Sequence, residues 1–238
     1  GREWMFRAFC HTDLMPSLEV LYEDNHLLAI NKTAGVLVQG DQTGDKPLAD
    51  ICKEYIKKKF NKPGEVYLGV VHRLDRPVSG VIIFARTSKA LSRLNALFRD
   101  RKTEKVYWAI TDRMPKSPEG VLKHWLRKDE AKNKTTVFSR ETPDALYAEL
   151  SYKVLSSRRG RCLLEVYPLT GRSHQIRVQL ASMGCAILGD IKYGSTVETG
   201  DGSIALHARR LSFIHPVKKE PILLESPPPG SEWWIDFQ

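Results

Sequence analysis

His72-Arg73-Leu74-Asp75-Arg76-Pro77-Val78-Ser79-Gly80 interrupts a hydrophobic path, and the reading of the chain turns on that interruption. Val66 to Val71 before it and Gly80 to Ala85 after it read as buried strands, where charged side chains are costly to place. A carboxylate with an arginine near it on each side, set between two such strands, is either a structural salt bridge or a group with chemistry to do. Flanking guanidinium groups stabilise a carboxylate, which suits Asp75 to act as a nucleophile or a base.

Outward from this loop the pattern is mostly of strands. LEVLY (18–22) and HLLAINK (26–32) are joined by a turn-prone triplet and predict a hairpin. Pro47 can open a helix whose Leu48, Ile51, Tyr55 and Ile56 share a face and which ends at Asn61 to Gly64. Thr87 or Ser88 can cap a second helix carrying Leu91, Leu94, Leu97 and Phe98 on one face. KVYWAIT (105–111) is the next strand. Residues 112–145, broken by prolines, read as a peripheral excursion with short strand-like pieces at Val121–Leu126 and Thr135–Phe138. Leu146 to Leu155 alternates cleanly and pairs with RCLLEVY (161–167) as a second hairpin. A short helix is expected over Ser173 to Met183, capped by Thr170 or Ser173 and stopped at Gly184, followed by a strand around Leu206–Phe213 and a Pro-rich tail. Many strands and three good helices, out of βαβ order, predict an α+β fold with a central mixed, mostly antiparallel sheet flanked by helices and loops.

Composition narrows the function. With 238 residues, 42% apolar and 27% charged, the chain is of ordinary globular make-up and long enough to bury a core without staples. An excess of Lys and Arg leaves a net charge of +9, which suits either solubility or a polyanionic partner. Cys10, Cys52, Cys162 and Cys185 are scattered, without zinc or disulfide spacing, and fit a reducing cytoplasm. No apolar run approaches the ~20 residues that a membrane span needs, so no membrane partner is expected. Residues 1–16 read as an N-terminal arm or a cloning remnant, and residues 17–238 as one catalytic domain. Phosphate-loop, dinucleotide-binding, zinc-protease and serine-hydrolase motifs are missing, so neither a metal nor a cofactor is expected.

A second polar cluster is Leu169-Thr170-Gly171-Arg172-Ser173-His174-Gln175-Ile176-Arg177, where a Gly turn enters a helix bearing two arginines. Arginine there can clamp a carboxylate, bind phosphate, or merely decorate a capped helix. Resemblance resolves the choice. HRLDRPVSG resembles the signature of the RluA family of pseudouridine synthases. NKTAGVLVQ (31–39), Lys105-Val106-Tyr107, LTGRSHQIRVQL (169–180), ILGDIKYG (187–194) and LHARRLSFIHP (206–216) resemble that family's further elements in order. The likeness runs from about Leu18 to Pro221.

The resemblance implies a cofactor-free enzyme that isomerises uridine within structured RNA, rRNA or tRNA, to pseudouridine after flipping the base from its stack. It implies Asp75 as the aspartate acting at the ribose, Tyr107 as the ring stacked on the flipped base and candidate base for the C5 proton, and Arg172 as the arginine paired with Asp75. Arg73 matches the neighbour that displaces the target base or fills its place. His72, Arg76 and Arg177 join the substrate-binding set, although His72 reads more readily as structural, and Ile176 and Leu180, one turn apart, would line an apolar pocket. Arg99, Arg101, Lys102, Arg158, Arg159, Arg161, Arg209 and Arg210 are expected to contact the RNA backbone. Thr33, Val78 and Ser173 depart from the family's usual residues without touching this chemistry. The pattern begins by Leu18, so a separate S4 RNA-binding domain is not expected, as in the compact branch of the family. DNA is not an expected partner, and no oligomeric partner is implied. An RNA-binding protein or folding helper that lacks turnover, or a base-releasing glycosidase, are the rival readings.

Overall fold

The hydrophobic runs and alternating segments build a single sheet around which the helices are arranged. A computed structural model describes residues 17–238; the expected arm at 1–16 and Cys10 lie outside them. In chain order the elements are β1 (Glu19–Glu23), β2 (Leu27–Lys32), α1 (Leu48–Lys59), β3 (Gly69–Val70), β4 (Ser79–Ala85), α2 (Ser88–Arg99), β5 (Glu104–Thr111), β6 (Glu119–Asp129), β7 (Lys134–Phe138), β8 (Leu146–Arg158), β9 (Arg161–Pro168), α3 (Gln175–Ser182), β10 (Leu206–Ile214), β11 (Pro221–Glu225) and α4 (Glu232–Ile235), with a 3-10 turn at Ile191–Tyr193. The strands run β1-β2-β4-β10-β5-β9-β8-β6-β7, with β11 beside β10 and β3 beside β4. β4 lies parallel to β10 and the other paired strands are antiparallel, so the expected α+β class with a mixed, mostly antiparallel sheet holds.

The uninterrupted apolar runs of β2 and β4 have a simple cause: both sheet faces are covered there. Leu28, Ile30, Ile82 and Phe84 pack with Leu48, Cys52 and Ile56 of α1, whereas Leu27, Ala29, Val81 and Ile83 pack with Ala90 and Leu94 of α2 on the other side. Thr87 caps α2, its hydroxyl accepting the Ala90 N–H at 3.1 Å.

Four local expectations change. The strand predicted at 66–71 shortens to Gly69–Val70, because Gly69 sits against Leu91 of α2 and the chain then turns into the 72–78 loop. The supposed excursion at 112–145 is instead the β6–β7 hairpin, which extends the sheet beside β8 and leans on α3. The helix predicted over Ser173 to Met183 starts two residues later. Neither Thr170 nor Ser173 caps it; His174 holds the cap position in a left-handed conformation with φ 57° and makes no side-chain cap bond. The tail carries β11 and α4, with Trp234 buried in the main core.

Gly80 shows why a glycine must end the loop. Its φ is +120°, and a Cβ there would lie 2.3 Å from the Ala208 carbonyl oxygen, where β4 and β10 meet in parallel. Leu74 and Val78, both buried, anchor the loop on either side of Asp75, and the Val78 N–H closes the turn on the Asp75 carbonyl at 3.0 Å. Asp75 is thereby held half-exposed above the core.

Candidate active site

A large cleft opens where the β3–β4 loop faces the segment entering α3, with Asp75, Arg73, Tyr107, Arg172, Ile176 and Arg177 among its lining. Arg177 leaves α3 almost fully buried. Its Nη1 lies 3.2 Å from Oδ2 of Asp75, while Nε and Nη2 grip both oxygens of Asp190 at 2.8 and 2.9 Å. This forked geometry, holding two carboxylates at once, is one that arginine can adopt and lysine cannot. Burial opposes the charge, yet the two carboxylates outweigh it and raise the Arg177 pKa.

The arginine paired with Asp75 is therefore Arg177, and the expectation for Arg172 is corrected. Arg172 precedes α3, where its backbone N–H donates to Oε1 of Gln175 at 3.0 Å and its Nε donates to the Tyr147 carbonyl at 2.9 Å. Those two bonds turn the guanidinium along β8, although the residue still borders the cleft. The sequence offered no phase to separate the two arginines. Gln175 to Leu180 are all buried, so α3 has no polar face to mark which residues point toward the loop.

Tyr107, on β5, lines the same cleft. Burial first, and the negative charge of Asp75 second, raise its pKa, so the ring stays a neutral phenol near pH 7. Lys105, two residues earlier on the same strand face, also borders the cleft, and burial lowers its pKa. His72 accepts the Ile83 N–H on Nε2 at 3.0 Å and packs on Phe98, which gives it a structural task at the cleft wall. Burial, reinforced by the charge of Lys105, pulls its pKa down to about 3.

Several other expectations separate once positions are known. Arg73 is exposed at the cleft. Arg76 also borders the cleft, where its Nε donates to the Gly35 carbonyl at 2.9 Å and its Nη2 pairs with Asp45, tying two loops together. Ile176 reaches the cleft, but Leu180 does not. One helical turn deeper, it is wholly buried in the main core, which corrects its assignment to the pocket. Among the basic residues Arg99 and Arg101 border the cleft, whereas Arg158 and Arg159 bond Asp236, Arg161 lies over Trp233, Arg209 over Trp108, and Arg210 pairs with Glu165.

Lys32 is a site residue that residue type alone did not mark. It ends β2 fully buried, and its Nζ donates to the carbonyls of Val36, Thr33 and Arg76 at 2.7, 3.0 and 3.1 Å. It thus staples the 33–36 turn to the loop bearing Asp75. Burial lowers its pKa to about 7, opposed by the attraction of Asp75. Among the described residues no cluster of His, Cys, Asp and Glu could hold a metal ion, and no helix is long and apolar enough to cross a membrane.

Residues 26–182 match the family model described as RNA pseudouridylate synthase. The chain is 32% identical to the tRNA pseudouridine synthase C of Vibrio parahaemolyticus over 227 residues, which is 88% of this chain and 89% of that protein. It is 29% identical to the ribosomal large subunit pseudouridine synthase C of Vibrio cholerae over 220 residues, covering 87% of this chain but spanning 65% of that protein's length. Among solved structures, Human RNA Pseudouridylate Synthase Domain Containing 4 matches with a TM-score of 0.75 at 28% identity over 91% of this chain and 90% of that one. The family model spans well over half of the chain and the Vibrio parahaemolyticus relative is covered nearly end to end, so the chain belongs to the RNA pseudouridylate synthase family.

Proposed function

We propose that the chain isomerises uridine within structured RNA, rRNA or tRNA, to pseudouridine in the cytoplasm, with residues 17–238 acting as one catalytic domain and without a cofactor. The observation that carries this reading is Asp75 at the cleft, held by the buried fork of Arg177. The reaction breaks the N1–C1′ bond, turns the uracil, joins C5 to C1′, removes the C5 proton and returns one to N1, so substrate and product are isomers. Neither the ribose nor C5 of a stacked uridine is open to these side chains, so the base must leave the stack. Asp75 acts at the ribose, as nucleophile at C1′ or base at C2′. Arg177 orients the carboxylate. Tyr107 supplies the ring against which the flipped base stacks. It remains the candidate base for the C5 proton, and because burial and Asp75 hold it as a phenol at rest, it must lose its own proton before taking that one. Arg73 stands where an exposed guanidinium can enter the space the base leaves, and Arg99, Arg101 and Lys105 suit backbone phosphates.

RNA carrying tritium at C5 of uridine tests the proposal. Isomerisation releases tritium without free uracil; release of free uracil would indicate the glycosidase, and retention of all tritium on rRNA and tRNA pools would indicate a binding-only protein.

A further inference from the structure

Behind the Asp75–Arg177 pair lies a line of polar contacts for which the proposed reaction gives no reason. His174, buried and left-handed, immediately precedes α3. Its Nδ1 is 2.6 Å from the Tyr193 hydroxyl, and its Nε2 is 3.8 Å from Oδ2 of Asp75. The Tyr193 oxygen also accepts the backbone N–H of Thr135 at 2.8 Å, while the Thr135 hydroxyl donates to the Ser173 carbonyl at 3.0 Å. With its oxygen already accepting from Thr135, the Tyr193 hydroxyl is free to give its one proton to Nδ1. An unprotonated Nδ1 places the imidazole proton on Nε2, facing Asp75. Burial lowers the His174 pKa; Asp75 opposes this, and Arg177, Lys192 and Lys128 reinforce it. The ring is therefore neutral near pH 7, and its tautomer matters rather than its charge.

We infer that His174 is a positioning residue for Asp75. Tyr193 fixes the tautomer, and the Nε2–H then joins Arg177 in restricting how the carboxylate presents its oxygens to the ribose. The separation of 3.8 Å is just beyond hydrogen-bond length, so a shift of under about 1 Å completes the contact. Thr135 belongs to β7, and Lys128 and Asn133 of the same hairpin border the cleft. This wall of the cleft is thus connected through Tyr193 and His174 to the carboxylate of Asp75. The inference rests on the reading of Asp75 given above, and it adds residues whose removal slows turnover without weakening RNA binding.

Three variants test it. In His174→Gln the amide reaches the region of Nε2 and can still donate to Asp75. His174→Asn suits the left-handed backbone better but places its amide near Nδ1. A positioning role predicts that Gln keeps the single-turnover rate within about tenfold while Asn loses about a hundredfold, with the RNA Kd unchanged in both. A purely structural role reverses that order, because the asparagine backbone preference then decides. Tyr193→Phe keeps the ring and removes the hydroxyl. It should lower the single-turnover rate by about tenfold and change the long-range nitrogen NMR pattern of His174 from a single Nε2–H tautomer to a mixture. An Nδ1–H tautomer in the native chain, an Asn variant as fast as Gln, or losses confined to RNA affinity would each overturn the inference. A native chain that releases no tritium from any RNA refutes the enzymatic reading instead, and the NMR pattern still decides the Tyr193–His174 contact.

Discussion

Replacing Arg177 by methionine separates what this residue does for the fold from what it does for the reaction. Methionine keeps most of the side-chain volume but removes the fork that neutralises Asp190, a carboxylate 1% exposed with both oxygens on that guanidinium. Removing one partner of a buried pair strands the other, at a cost of about 3–5 kcal/mol. For a chain of this size that lowers Tm by roughly 6–20 °C. Adding Asp190→Asn removes the stranded charge, and replacing both partners of a buried pair is near neutral, so the double variant should recover most of the lost stability. It should not recover activity. The 3.2 Å contact to Asp75 remains absent, and misplacing a reacting group by about 1 Å costs on the order of a hundredfold in rate. Thermal melts followed by circular dichroism and single-turnover tritium release, on the native chain and both variants, supply the two readouts. A double variant regaining both Tm and rate would show that Asp75 needs no arginine, and a single variant melting within a degree of native would show that Asp190 is not stranded.

Asp75→Asn should abolish turnover while leaving the RNA Kd within a fewfold of native, as filter binding and tritium release will show; near-native turnover sinks its assignment. Gly80→Ala forces a Cβ onto the Ala208 backbone at φ +120° and should lower the urea midpoint by the equivalent of about 1–3 kcal/mol or more. His207, fully buried between Ser79 and Ser226, has its pKa pulled down to about 4 by burial. Between the unfolded value of about 6.5 and that figure, the unfolded chain binds a proton that the folded chain refuses. Stability should therefore fall as pH drops through this window, by about 3 kcal/mol in all, and His207→Gln should flatten that part of the urea-midpoint profile.

The site was legible in the sequence to the extent that its chemistry is carried by consecutive residues. The HRLDRPVSG loop announces itself because polar residues break two apolar strands, and Gly80 explains itself once the parallel β4–β10 approach is seen. The sheet was legible for the same reason: alternation in β8 and uninterrupted burial in β4 each leave a distinct pattern. The β6–β7 hairpin was legible only as the strand-like pieces at Val121–Leu126 and Thr135–Phe138, since the flanking Pro115, Pro118 and Pro143 and the exposed charges between those pieces mimic a surface loop. The choice between Arg172 and Arg177 failed for a deeper reason. A residue is assigned to a face from the contrast between polar and apolar neighbours, and α3 is buried all round from Gln175 to Leu180, its glutamine Nε2 groups donating to carbonyls and its arginine to two carboxylates. A helix inside an active site loses amphipathic contrast because its polar residues are internal too. In such a segment the informative feature is the buried charge that must find a partner: Arg177 finds Asp190 and, in the same fork, Asp75.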